Sequence, residues 1–195
     1  QGGSFKYTAG YYSGAAMTCT KNENTSSTVN ERIWTGGSVQ LTMRTTYVSP
    51  SKTETYEFEI KNTSGSALSN VKFFHGQDTY LGYSDAGGGY WNESANTVGV
   101  KKPAQDDPNR LIYQELGSAS TRPDDYASTS YGTVASLVAQ GALNQTLNTN
   151  YYTDNGYAVQ WNRGTLGPGE TWTIQAGETM AVGAGLTATL PSADI

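Results

Sequence analysis

At 195 residues the chain is long enough to bury a core in one unit, and only 15% of it is charged, against roughly a quarter in an average soluble domain. A formal net charge of −5 excludes the basic footprint of a nucleic-acid binder, and no apolar run approaches the roughly 18 residues needed to span a bilayer. Threonine is the commonest residue and Gly, Ser, Asn and Tyr are abundant, which suits strands with polar faces joined by tight turns.

Taken in order, residues 1–20 carry short apolar pieces, Phe5 and Tyr7 two apart and then Ala15 to Cys19. Cys19 is the only cysteine, so no disulfide closes within the chain, and the run Ala15-Ala16-Met17-Thr18-Cys19 places it as a small buried strand residue. The polar stretch Lys21 to Asn30 reads as an exposed loop, and Arg32-Ile33-Trp34 leads into a Gly36-Gly37 turn. Val39, Leu41, Met43, Thr45 and Tyr47 alternate with Gln40, Thr42, Arg44 and Thr46, the period-2 pattern of a strand with one buried face. Tyr56 to Lys61 alternates likewise and is its expected antiparallel partner across the Ser49–Thr53 connection.

Asn62 to Ser66 supplies the next turn, and Val71 to His75 the next strand, with Val71, Phe73 and His75 on one side. Short strands are expected over Thr97–Val100 and Arg110–Leu116, separated by the Pro103–Pro108 loop, and over Tyr126–Tyr131 after the Arg122–Asp125 turn. Val134, Leu137, Val138 and Gly141 follow a helical period, but glycine inside a helix costs about 1 kcal/mol relative to alanine, so a short helix ending near Gly141 is expected. After the Asp154-Asn155-Gly156 turn, Tyr157, Val159 and Trp161 alternate. The Leu166-Gly167-Pro168-Gly169-Glu170 turn then introduces strands at Trp172–Ile174 and Met180–Leu190. Roughly a dozen short strands make the expected fold all-β, a two-layer antiparallel β-sandwich with at most one short helix, as a single domain over residues 1–195.

The segment from His75 to Trp91 departs from this strand grammar. It holds the sole histidine, the acids Asp78 and Asp85, the run Gly87-Gly88-Gly89, and the rings of Tyr80, Tyr83, Tyr90 and Trp91. Sugars have polar edges and apolar C–H faces, and are held by aromatic platforms flanked by hydrogen-bonding side chains. His75, Gln77, Asp78, Tyr80, Tyr83, Asp85, Tyr90 and Trp91 are therefore the candidate ligand-binding set, with the glycines letting backbone approach a ligand. Each has a plainer reading: His75 and Trp91 as core residues, the glycines as a tight loop, the acids as solvated. Asp78 with Asp85, and Asp106-Asp107 with Asn109, offer oxygen ligands of the kind calcium takes, but neither has calcium-loop spacing, so no cofactor and no metal site is assigned. One Cys and one His cannot build a zinc site. A Ser/His/Asp hydrolase would have to use His75, and no G-x-S-x-G elbow is present, so no catalytic residue is assigned. Asn24-Thr25-Ser26 and Asn62-Thr63-Ser64 match glycosylation acceptors. The doublets Tyr11-Tyr12 and Tyr151-Tyr152 offer outward rings for a binding surface or a homo-oligomer contact.

Three segments carry a resemblance: VQLTMRTTYVSPSKTETYEFEIKNTSGSALSNVKFFHGQDTYLG, the Tyr90-Trp91 pair with its glycine prelude, and DNGYAVQWNRGTLGPGETWTIQAGETMAVG. Together they cover a little under half the chain and resemble a recurrent β domain of large bacterial surface and secreted proteins, similar to the supersandwich of galactose-mutarotase-like proteins. The resemblance implies an extracellular or cell-surface, adhesive or carbohydrate-recognition domain whose partner is a glycan or cell-surface polysaccharide. It equally admits a carbohydrate-active enzyme or a purely structural, oligomer-forming module. A mutarotase works with His and Glu, and here the single His75 has no glutamate beside it in sequence. The start at Gln1 rather than methionine fits a processed product or the terminal piece of a longer surface protein.

Overall fold

In the computed structural model, which describes residues 6–9, 14–118 and 120–184, strands account for most of the chain. Two short strands, β1 (Tyr7–Thr8) and β2 (Ala15–Ala16), pair parallel with each other. A meander follows, β3 (Thr18–Asn24), β4 (Val29–Gly36), β5 (Val39–Thr46) and β6 (Thr53–Asn62), each antiparallel to the one before. Then come β7 (Leu68–Gln77), β8 (Gly88–Asn92), β9 (Thr97–Pro103), β10 (Arg110–Gly117) and β11 (Asp125–Ser130). The helix α1 (Tyr131–Gln140), β12 (Asn155–Leu166) and β13 (Thr171–Ala184) complete the described elements.

An eight-stranded antiparallel sheet has the order β3-β4-β5-β6-β13-β10-β9-β8, and a three-stranded one the order β11-β12-β7. They pack face to face as a β-sandwich. Phe58 and Ile60 on β6, Ile174 on β13, Leu116 on β10 and Val98 and Val100 on β9 meet Tyr157, Val159 and Trp161 on β12. Phe73 of β7 lies against Phe58 at 4.8 Å between ring centres and stacks on Trp161 at 6.0 Å. Burying such rings is worth about 1.5–3 kcal/mol each, so this seam is the main apolar contribution to the fold.

The small sheet is covered on its other face too. Val134 of α1, Leu143, Ala127 and Ala158 form a second cluster with Phe74, Leu137 and Val138 packed against it. That is why every residue from Asn155 to Trp161 is buried, although the sequence alternates there. Helix α1 stops where glycine was expected to stop it. Gly141 takes the left-handed conformation at φ 80° and returns its N–H to the carbonyls of Leu137 and Val138.

Four expectations are corrected. The stretch 21–30, read as loop, is loop only over 25–28: residues 29–30 open β4, and 21–24 belong to β3, an edge strand exposed on both faces and therefore without an apolar period to read. For the same reason Cys19 is exposed, not buried, and its Sγ lies 3.3 Å from the Lys21 carbonyl. Trp172–Ile174 and the residues from Met180 onward are not two strands but parts of the single β13, and residues 185–190 of the expected last strand lie outside the described residues. Asn62 is fully buried, its amide donating to the carbonyls of Ser66 and Leu166, so it is unavailable as a glycosylation acceptor. The Tyr11-Tyr12 doublet also lies outside the described residues.

The free face of the large sheet is divided by chemistry. Its β3–β6 half carries an ion ladder, in which Arg44 reaches Glu31 and Glu57 at 2.7 Å and Glu59 at 2.9 Å, and Lys21 reaches Glu31 at 2.8 Å. The β13–β10–β9–β8 half has small residues, tyrosines and few charges.

Candidate functional site

The eight residues singled out in the sequence do not share one surface. His75 and Gln77 point into the sandwich, where they border a buried carboxylate, Glu178 of β13, which is only 3% exposed. Tyr56 and Gln77 donate to its Oε2 at 2.7 and 2.6 Å, and Gln114 and Tyr157 to its Oε1, both at 2.5 Å. Burial and the Glu178 charge push both phenols well above the usual tyrosine range, so they remain donors. His75 packs its ring on Tyr56 and Phe58 at 5.4 and 4.9 Å, and its buried Nε2 has no hydrogen-bond partner among the described residues. Burial pulls the imidazole down to about 4, against a smaller upward pull from Glu178. The glutamate absent from the sequence around His75 is thus supplied through space by β13. Four protein donors already hold that carboxylate inside the core, so its acceptor capacity is taken up by the protein itself.

Asp78, Tyr80, Tyr83 and Asp85 lie on the loop between β7 and β8. Leu81, buried in the core, pins it, and Thr79 ties it to β12 by donating to the Asn155 carbonyl at 2.7 Å. Tyr80 and Tyr83 on either side of that anchor are 65% and 87% exposed. Tyr83 also holds a left-handed φ of 66°, uncommon for a bulky side chain. Desolvation and the neighbouring carboxylates of Asp78 and Asp85 raise the Asp154 carboxyl above its usual range. Among the described residues no group of three His, Cys, Asp or Glu side chains is arranged to hold a metal ion. At the other calcium candidate, Arg110 pairs with both Asp106 and Asp107.

The glycines serve the protein's own packing. A Cβ at Gly87 would meet Val100 at 2.5 Å, one at Gly88 the Thr149 carbonyl at 2.7 Å, and one at Gly89 the Ser128 carbonyl at 2.4 Å. They bring β8 onto its neighbours and are themselves buried, which removes them from any ligand surface. Because β8 is a strand, Tyr90 and Trp91 point to opposite faces. Trp91 turns to the core edge, where Tyr126 stacks on it at 4.0 Å and 3° and its Nε1 donates to Glu93 at 2.5 Å.

Tyr90 turns the other way, into a shallow open hollow of about 210 Å³ on the free face of the large sheet. Asn92, Lys101, Leu111, Tyr113 and Glu115 line it with Tyr90, and Gly183 forms part of its floor. Strand register assembles it: Tyr90 of β8 and Glu115 of β10 both lie opposite Gly99 of β9, and Tyr113 lies opposite Lys101. The bare Gly99 lets the Tyr90 hydroxyl reach across β9 and donate to Glu115 Oε2 at 2.8 Å, joined there by Thr97 at 3.0 Å. Both bonds use Oε2, and Oε1 makes none among the described residues. Burial and the Glu115 charge raise the Tyr90 phenol far above its usual range, which keeps it a donor. The Lys101 ammonium sits over the Tyr90 ring, 4.8 Å from its centre. One edge of the Tyr113 ring borders Gly183, where a Cβ would stand 3.2 Å from its Cε1. One flat ring, one braced carboxylate, one ammonium and one amide therefore converge on solvent.

No protein-family model and no curated protein matches the chain. What it does has to follow from these side chains. Of the eight candidates read from the sequence, only Tyr90 lines this hollow. Tyr113 and Glu115 sit two apart in Leu111-Ile112-Tyr113-Gln114-Glu115 and so share the outward face of a strand, a readable signal, but their meeting with Lys101 and Gly183 depends on pairings remote in sequence.

Proposed function

We propose that this chain is an extracellular carbohydrate-recognition domain, of the adhesive kind implied by its resemblance to supersandwich domains of bacterial surface proteins. It binds glycan without transforming it. The observation that carries this reading is the Tyr113 ring, bordering Gly183 in an open hollow, beside a Glu115 carboxylate held by Tyr90 and Thr97. A sugar ring stacks its C–H face on such a platform while its hydroxyls donate to the carboxylate and accept from Lys101 and Asn92. The exposed Tyr80 and Tyr83 offer a second aromatic contact on the β7–β8 loop. Each contact is modest, so copies displayed on a surface would gain by multivalency. The test is a glycan array read with the wild-type chain, Tyr113→Ala and Tyr83→Ala. Selective binding that falls by roughly tenfold or more in Tyr113→Ala is expected. A wild-type chain that retains no glycan, or an unchanged profile in Tyr113→Ala, overturns the assignment.

A further inference from the structure

We propose that the hollow on the free face takes an internal stretch of a neutral polysaccharide running across β8, β9, β10 and β13, not a chain end and not an acidic polymer. This rests on the carbohydrate reading above and specifies its ligand. The lining is contributed by all four strands: Tyr90 and Asn92 from β8, Lys101 from β9, Tyr113 and Glu115 from β10, and Gly183 from β13. At about 4.8 Å between strands, three intervals span roughly 14 Å, room for more than one sugar ring. The hollow is open and shallow, so it does not enclose a terminal residue as an end-binding pocket does.

The β13 side shows where a chain passes out. The outward residues of β13 here are Gly177, Thr179, Ala181 and Gly183, a low floor beside the tyrosines. The glycines of this face fall into two kinds. A Cβ at Gly99 would stand 2.3 Å from the Gln114 carbonyl and one at Gly117 2.1 Å from the Asn96 carbonyl, so the sheet itself requires them. A Cβ at Gly177 would come no nearer than 3.4 Å to anything, and one at Gly183 would meet only the movable Tyr113 ring. Glycine inside a strand weakens it, and close approach of a ligand is one of the physical reasons it is kept there. Charge decides the class. The hollow holds one carboxylate and one ammonium, and the chain carries −5 overall, which suits a hydroxyl-rich neutral polymer and repels a polyanion.

The test is native affinity electrophoresis in gels containing hydroxyethylcellulose, xylan, galactomannan or polygalacturonate, with titration of oligomers of increasing length from the polymer that retards the chain. Retardation by at least one neutral polymer and none by polygalacturonate is expected, with affinity rising over the first few sugar units and then levelling. Gly177→Thr, whose Cβ meets only ordinary contacts with the Glu54 carbonyl at 3.4 Å and Thr53 at 3.5 Å, should weaken the polymer complex several-fold, and Gly183→Val roughly tenfold, both with unchanged thermal midpoints. A monosaccharide bound as tightly as the polymer, retardation by polygalacturonate alone, or full affinity in both glycine variants overturns the inference while leaving a glycan-binding domain. Absence of binding to these polymers together with an empty glycan array overturns both.

Discussion

His75 makes stability depend on pH in a defined window. Its ring is packed on Tyr56 and Phe58 with Nε2 sealed, and burial holds the imidazole at about 4 rather than its ordinary 6.5. Above pH 6.5 neither folded nor unfolded chain binds this proton, and the contribution is constant. As pH falls from 6.5 to 4 the unfolded chain takes up a proton that the folded chain refuses, and stability is lost at up to about 1.4 kcal/mol per pH unit, about 3 kcal/mol in all. The carboxylates of Glu31, Glu93, Asp106 and Glu170 are held low by their cationic or N–H partners, and add their own losses as pH falls through the carboxylate range. His75→Phe keeps the ring packing, removes the proton site and leaves those acids unchanged, so the difference between the two proteins isolates the imidazole. Urea unfolding at pH values from about 7.5 down to about 4 should show the wild type losing about 3 kcal/mol more than His75→Phe. Parallel curves would refute the buried neutral imidazole. A wild type that gains on the variant in acid would mean that the imidazolium pairs with Glu178 instead.

Glu178→Ala strips the acceptor from Tyr56, Gln77, Gln114 and Tyr157, and at about 1–3 kcal/mol per orphaned donor it should cost at least about 3 kcal/mol in chemical denaturation, with Glu178→Gln milder. Gly76→Ala would place a Cβ 2.5 Å from the Tyr157 carbonyl and 2.7 Å from the Ala158 Cβ, forcing β7 from β12; a loss of about 1–3 kcal/mol should appear as a lower thermal midpoint. Arg44→Met leaves Glu31, Glu57 and Glu59 facing one another on a half-wet surface, and should cost about 1 kcal/mol at low ionic strength and less in high salt.

Strands with one wet face were legible and strands with none or two were not. In β6 the alternation of Tyr56, Phe58 and Ile60 with Glu57 and Glu59 matches the faces found; in β5 Leu41 and Met43 do pack on the core, but Thr42 on the other face is buried too and Tyr47, expected on the inner face, is exposed. β3 is wet on both sides and lacks that contrast, which hid both the strand and the exposure of Cys19. β12 is dry on both sides from Asn155 to Trp161, so the alternation of Tyr157, Val159 and Trp161 with Ala158 and Gln160 does not mark a wet face there. Sequence proximity gathered His75 to Trp91 into one candidate surface. The backbone distributes them among the core, a loop pinned by Leu81, and two opposite faces of β8. The polar cluster around Glu178 joins residues from β6, β7, β10, β12 and β13, and such contacts leave no local pattern to read.

The position of β13 has a kinetic consequence. It is the last described strand in the chain, yet it fills the gap between β6 and β10, pairing Ile174 with Phe58 on one side and Val182 with Ile112 on the other. Until it inserts, the meander β3–β6 and the ribbon β8–β10 are two separate fragments with raw edges, and the hollow beside Tyr113 lacks its Gly183 side. During synthesis on a ribosome the large sheet cannot close until β13 has emerged, so its folding should be slow and concerted, with a premature stop before Thr171 yielding aggregation-prone pieces.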